Sequence, residues 1–210
     1  MAQYKFYFRK SSFKKDLENG NLLLNLIEKN KPKHFLEIGV LEGATSRNVC
    51  ELLNMIHKNN FKYTGVDLFN QNTQDIKSNE FTPISYKFSN PLKWIYFKLF
   101  LRHKPNSVEG VTYLLRNFKK SISLFQGYSK NVLNEINLKE IDFVFLDGGH
   151  SYETVKEDLS ILRSKLSNNS IIVCDDYNIL HYGVKKAVDE IKSEFNFRDL
   201  GRFSFLKVKN

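Results

Sequence analysis

Two apolar tetrads, Phe143-Val-Phe-Leu146 and Ile171-Ile-Val-Cys174, constrain this chain more than any other feature. Neither alternates with polar residues, and each stops at an aspartate. A strand with one wet face alternates apolar and polar side chains, so a continuous run implies a sheet covered on both faces. Similar strands are predicted over 34–40, 63–69 and 122–125. Between them lie helical spacings at 12–29 (Leu17, Leu22, Leu23, Leu26, Ile27) and 43–58 (Val49, Leu52, Leu53, Ile56), with more over 107–120, 130–138, 151–166 and 184–195. Strands alternating with helices imply parallel βαβ units and a doubly wound, Rossmann-like α/β sheet with helices on both faces. The end, FRDLGRFSFLKVK, reads as two strands around Gly201, which places one antiparallel strand in the sheet.

The length of 210 residues fits one domain over 1–210 with an insertion at about 70–106, where Pro83, Pro91 and Pro105 break the rhythm. Cys50 and Cys174 lie far apart inside apolar segments. They read as buried hydrophobes in a reducing compartment, not as a disulfide or metal framework. No run of 18 apolar residues is present, and the basic N-terminus lacks an apolar h-region. The expected location is cytoplasmic. A net charge of +9 suits an anionic partner, but the basic residues are scattered with no dense block, which favours plain solubility over nucleic-acid binding.

Ligands of open α/β sheets bind beyond the carboxyl ends of the strands. The first strand ends Glu37-Ile-Gly39-Val-Leu-Glu-Gly43-Ala-Thr-Ser46. Gly39 and Gly43 allow a tight turn and close approach of backbone to ligand. The spacing is not G-x-G-x-x-G, so a dinucleotide pyrophosphate is disfavoured. Glu37 suits a ligand bearing positive charge. Asp67, followed by Leu68, ends the second strand, where an acid can accept hydrogen bonds from ribose hydroxyls.

The fourth strand ends in Asp147 and the fifth in Asp175-Asp176. If these strands are neighbours, about 4.8 Å apart, the three carboxylates converge and repel unless protonated or neutralised by a cation. Hard oxygen ligands select Mg²⁺, Mn²⁺ or Ca²⁺. The alternative is structural: Asp147 caps the helix that starts near Ser151, and Asp175-Asp176 forms an ordinary turn.

"FLEIGVLEGATS", "YTGVDLF", "LFQGYS", "IDFVFLDGGHSYE" and "IIVCDDYN…GVKKAVDEI" occur in an order that resembles class I S-adenosylmethionine-dependent methyltransferases. The chain is most similar to the metal-dependent O-methyltransferase branch, with its antibiotic-sugar and cephalosporin-hydroxylase-type members, over about 33–195 without the insertion. The resemblance implies a seven-stranded sheet with a reversed last strand. It implies that Glu37, Gly39 and Gly43, with Ser46 beside them, line the methionine half of S-adenosyl-L-methionine. Asp67 and Leu68 would hold the ribose, and Gly127 and Ser129 of Gln126-Gly127-Tyr128-Ser129 would border the adenine. It makes Asp147, Asp175 and Asp176 ligands of Mg²⁺ or another divalent cation, with Asp147 also beside the cofactor. His150 stands where catechol-type members carry a basic lysine, so Asp147 and His150 are the catalytic candidates. His150 can equally pack over the cofactor or help cap the next helix. His181 is a second histidine near the substrate. At Leu41 the chain departs from the family, because many members carry glycine there.

The implied activity is methyl transfer to a hydroxyl of a small acceptor such as a sugar, glycan or natural-product precursor. Three readings compete: a nucleic-acid methyltransferase, a non-catalytic S-adenosylmethionine-binding module, and the other chemistry of hydroxylase-type relatives. No Asn/Asp-Pro-Pro-Tyr/Phe motif supports the first. Within the insertion, Pro91-Leu-Lys-Trp-Ile-Tyr-Phe-Lys-Leu-Phe-Leu-Arg-His-Lys104 reads as a lid or homo-oligomer contact, ahead of a peripheral membrane helix.

Overall fold

A computed structural model describes residues 2–69, 90–178 and 182–209. Among them, β1 (His34–Ile38), β2 (Lys62–Asp67), β3 (Ile122–Gln126), β4 (Phe143–Leu146), β5 (Ile171–Cys174), β6 (Phe195–Leu200) and β7 (Phe203–Val208) form one sheet. Its order is β3-β2-β1-β4-β5-β7-β6. The first five strands in that order are parallel, and β7 runs antiparallel to both β5 and β6. The terminal hairpin thus supplies the expected reversed strand.

The helices are α1 (Leu17–Asn30), α2 (Ala44–His57), α3 (Pro91–Ile95), α4 (Val108–Leu114), α5 (Ser129–Glu135), α6 (Tyr152–Lys165) and α7 (Tyr182–Ile191). They divide between two cores. Leu23, Ile27, Val49 and Leu53 pack on Phe35, Phe143 and Phe145. Leu133, Leu159, Leu162 and Val188 pack on Leu36, Val144 and Ile172. Successive strand residues therefore enter opposite cores, which is why the tetrads are apolar throughout. Each such fully buried side chain contributes roughly 1.5–3 kcal/mol relative to exposure. Cys50 and Cys174 are free and buried, as expected.

Several boundaries differ from the sequence reading. Helix α1 starts at Leu17, not at 12, because Asp16 is its N-cap and accepts from the Asn19 amide. Residues 12–15 turn first, which lets Phe13 bury itself against Phe145 and Phe203. Strand β1 ends at Ile38, since Gly39 takes φ +94° and leaves the extended region. The helix expected over 107–120 stops at Leu114. A short 3₁₀ turn, Arg116–Phe118, follows and buries Phe118 against Phe61. Helix α3 continues into a π-helical turn, Tyr96–Leu101. The first part of the insertion, 70–89, and His181 lie outside the described residues.

Candidate active site

The ladder runs one residue beyond the strands. Gly39 donates to the Val66 carbonyl (2.9 Å), Asp147 to Ile38 (2.8 Å) and Asp175 to Leu146 (2.9 Å). These bonds hold the tips of β2, β1, β4 and β5 level at one edge. Gly39 is needed there, because a Cβ on it would sit 2.0 Å from the Asp147 carbonyl oxygen.

From that turn the loop follows a left-handed course through Leu41 (φ +53°) to Gly43 (φ +77°), the N-cap of α2. Leu41 therefore takes a backbone conformation that glycine adopts without strain. Its amide donates to Asp67 Oδ2 and the Phe69 amide to Oδ1, both at 2.8 Å. These amides, with further backbone donors from Val40 and Leu68, fix the Asp67 carboxylate at the loop. Burial pushes its carboxyl up, and the amides oppose the shift. The Leu68 carbonyl accepts from Gln126 Nε2 (3.1 Å), and the Gly127 amide donates to the Asp67 carbonyl (3.0 Å). These contacts tie the third strand tip to the second. Ser129 opens α5, half-buried.

Glu37 is buried, and its Oε2 accepts from Tyr63 (2.5 Å) and Ser46 (2.8 Å). Ser46 is fully buried, so its hydroxyl serves Glu37 directly. Burial raises the Glu37 carboxyl to about 8, against the pull of both hydroxyls. The folded chain then holds a proton that the unfolded chain releases near 4.5. Stability should therefore fall as pH rises between these values, by up to about 1.4 kcal/mol per pH unit, and level off above them. Thermal unfolding across this range should show the decline in the wild type and a flatter profile in Glu37→Gln. Parallel profiles would refute this account of Glu37.

At the β4 and β5 tips, ligand atoms of Asp147, His150 and Asp176 lie within 4.8 Å of one another. His150 Nε2 is 3.2 Å from Asp176 Oδ2. Burial and then the neighbouring Asp175 push the Asp147 carboxyl well above the usual range, while a hydrogen bond from Ser12 (2.9 Å) opposes this. The cap of α6 is Ser151, which accepts from the Thr154 amide, so Asp147 does not have that task.

Asp175 is placed differently from its two partners. It is buried and faces Arg202, whose Nε and Nη2 donate to its two oxygens at 2.5 Å each. Arg202 also donates to Asp16 Oδ2 (3.1 Å), lies 3.4 Å from Asp176 Oδ1 and stacks over Phe13. Part of the positive charge that the acids require is thus supplied by the chain. The residues whose ligand atoms converge are Asp147, His150 and Asp176, while Asp175 faces Arg202.

The N-terminal segment completes this edge. Tyr4 hydroxyl bonds Ser11 and Thr45, and the Lys10 amide donates to Glu42 Oε2 (2.6 Å). Arg9 donates to the carbonyls of Pro105 and Gly110. Sequence reading missed Arg202, Ser12 and this segment. The one available signal was the DLGR turn, because a hairpin feeding a reversed strand returns its start to the carboxyl edge. A groove of about 660 Å³ beside β3, bordered by His34, Ser123 and Asn137, includes none of these acids.

This strand order, with a reversed strand inserted beside β5, defines the class I S-adenosylmethionine-dependent methyltransferase fold. The chain belongs to the family described as methyltransferase domain, whose model matches residues 36–177. Among solved structures it is similar to the O-methyltransferase NovP (17% identity, TM-score 0.63, 92% of this chain and 79% of that one). It is also similar to TomG of Streptomyces achromogenes, an O-methyltransferase involved in tomaymycin synthesis and solved with SAM (13%, 0.61, 93% and 81%). A third is CalS11, a TDP-rhamnose 3'-O-methyltransferase in calicheamicin biosynthesis (18%, 0.61, 92% and 80%). At these identities the likeness is one of fold. No curated protein matches the chain. Among the described residues no helix is long and apolar enough to cross a membrane.

Proposed function

We propose that this protein transfers the methyl group of S-adenosylmethionine to a hydroxyl of a small acceptor, a sugar, glycan or natural-product precursor. The observation that carries this reading is the meeting of Asp147, His150 and Asp176 beside the Gly39–Gly43 loop and Asp67. The likeness in fold to the O-methyltransferases NovP, TomG and CalS11 supports it. The reading takes 1–210 as one methyltransferase domain carrying an insertion at about 70–106.

The residues present suit the cofactor. Glu37 is a buried acid whose raised pKa would be relieved by a ligand cation. Asp67 stands at the β2 tip where the ribose hydroxyls would lie, Gly39 and Gly43 let the loop take its left-handed turn beside it, and Gly127 and Ser129 would border the adenine. When bound, the sulfonium supplies the methyl group and leaves as S-adenosylhomocysteine.

Asp147, His150 and Asp176 also suit a divalent cation, since two carboxylates close together need added positive charge and imidazole is a common ligand. A divalent cation held there, Mg²⁺ through the two carboxylates or a softer ion through the imidazole as well, would lower the pKa of an acceptor hydroxyl. Asp175, paired with Arg202, would orient the tip rather than ligate. A second reading rests on the 3.2 Å contact between His150 and Asp176. The imidazole takes the acceptor proton, and the carboxylate stabilises the imidazolium.

Calorimetry of S-adenosylhomocysteine with and without Mg²⁺, followed by turnover on hydroxylated acceptors after chelation, tests both. Cofactor binding is expected throughout, and Asp147→Asn should lower turnover by about 10²-fold or more. Activity lost on chelation supports the cation. Activity that survives chelation but disappears in His150→Gln supports the base. Absence of S-adenosylhomocysteine binding would end the whole reading.

A further inference from the structure

The helix formed by Pro91–Ile95 and Tyr96–Leu101 is not used by the chemistry above. Phe97 anchors it, 2% exposed, with its ring 4.8 Å from the Arg9 guanidinium. Most of its other large side chains face water: Leu92 is 69% exposed, Trp94 46%, Leu99 59% and Phe100 75%. Phe8, 48% exposed, extends the patch through an edge contact with Tyr96. Contiguous apolar surface of this kind marks an interaction site.

Charge identifies the partner. Residues 91–104 contain Lys93, Lys98, Arg102 and Lys104 but neither Asp nor Glu, in a chain of net charge +9. Lys98, Arg102 and Lys104 are exposed beside the apolar side chains. We propose that this helix seats the protein on an anionic lipid surface. Its apolar side chains would enter the boundary between headgroups and acyl chains. Trp94 and Tyr96 would lie at headgroup level, with the cations against lipid phosphates. A second copy fits less well, because an isologous contact would bring these cations together with no acid in the segment to answer them. A lid over the acceptor would turn the apolar side chains inward, whereas Phe97 is the large one that points to the body.

Trp94 is the chain's one tryptophan, so its fluorescence reads the surface directly. The full chain would be mixed with phosphatidylcholine vesicles, plain or with about 30 mol % phosphatidylglycerol. Co-sedimentation and a blue shift of Trp94 emission are expected with the anionic vesicles, weakening as salt rises. The double substitution Leu99→Ser/Phe100→Ser should reduce binding about tenfold or more. Both side chains are already in water, so the thermal melt and S-adenosylhomocysteine binding should stay at wild-type values. Unchanged Trp94 emission on anionic vesicles would overturn the proposal. So would a blue shift that grows with protein concentration without lipid, which assigns the patch to a second copy. Undiminished binding by the double variant would also overturn it, by reducing the effect to net charge.

Discussion

Replacing Arg202 with methionine should cost the folded chain about 3–5 kcal/mol, the range for removing one partner of a buried ion pair. Asp175 is 2% exposed, and Arg202 supplies both of its side-chain donors. Without the guanidinium, a buried carboxylate is left beside Asp147 and Asp176. At roughly 2–4 °C per kcal/mol for a chain of this size, the melting temperature should fall by about 6–20 °C. The loss should shrink at acid pH. Unpaired, Asp175 has a raised folded pKa, so the variant regains stability as pH falls and a proton neutralises the carboxylate. Arg202→Met combined with Asp175→Asn should recover most of the loss, because the uncompensated charge is gone. A single variant that melts within about 1 kcal/mol of wild type would show that the pair does not hold this edge together.

Gly39→Ala should be comparably severe, through backbone geometry instead of charge. The added Cβ would lie 2.0 Å from the Asp147 carbonyl oxygen, 2.5 Å from its carbon and 2.8 Å from the Gly148 nitrogen, at a φ of +94°. All three obstacles are backbone, so no rotamer change relieves them. The strand tips must part, which strains the Asp147 to Ile38 hydrogen bond and moves Asp147 away from His150 and Asp176. A loss of about 3 kcal/mol or more in stability is expected, with S-adenosylhomocysteine affinity down by about 10²-fold. Gly148→Ala is the control. Its Cβ would meet only the Ile38 Cγ2 at 3.1 Å among near atoms, and its φ lies outside the left-handed region, so it should cost about 1 kcal/mol or less. Equal effects at the two glycines would contradict the close approach of Gly39 to the Asp147 carbonyl.

The acids and glycines of the site were legible because each lies within a few residues of an apolar run that stops abruptly. Asp147 and Asp175 each follow a strand directly, and Asp67 is the last residue of one. Division of labour among the acids was not legible. Asp175 and Asp176 are adjacent in sequence, yet Asp176 takes φ +57° and faces His150, while Asp175 faces Arg202. Such a backbone turn lies below the resolution of residue pattern. Glu37 and Ser46 were read as facing a ligand, but their hydrogen bond to each other depends on how α2 packs on β1. The apolar and basic pattern over 91–104 suits a lid, an oligomer contact or a membrane helix, since it does not reveal which side meets the body.

The sequence by itself determined the alternation of strand and helix, the two-sided burial of the sheet and the reversed strand, because apolar periodicity and glycine placement act over a few residues. Tertiary structure decided which charges meet. Arg202 and Ser12 reach the acids from opposite ends of the chain, and Asp16 meets Arg202. Only the register of β7 against β5 and the turn before α1 bring them within hydrogen-bonding distance.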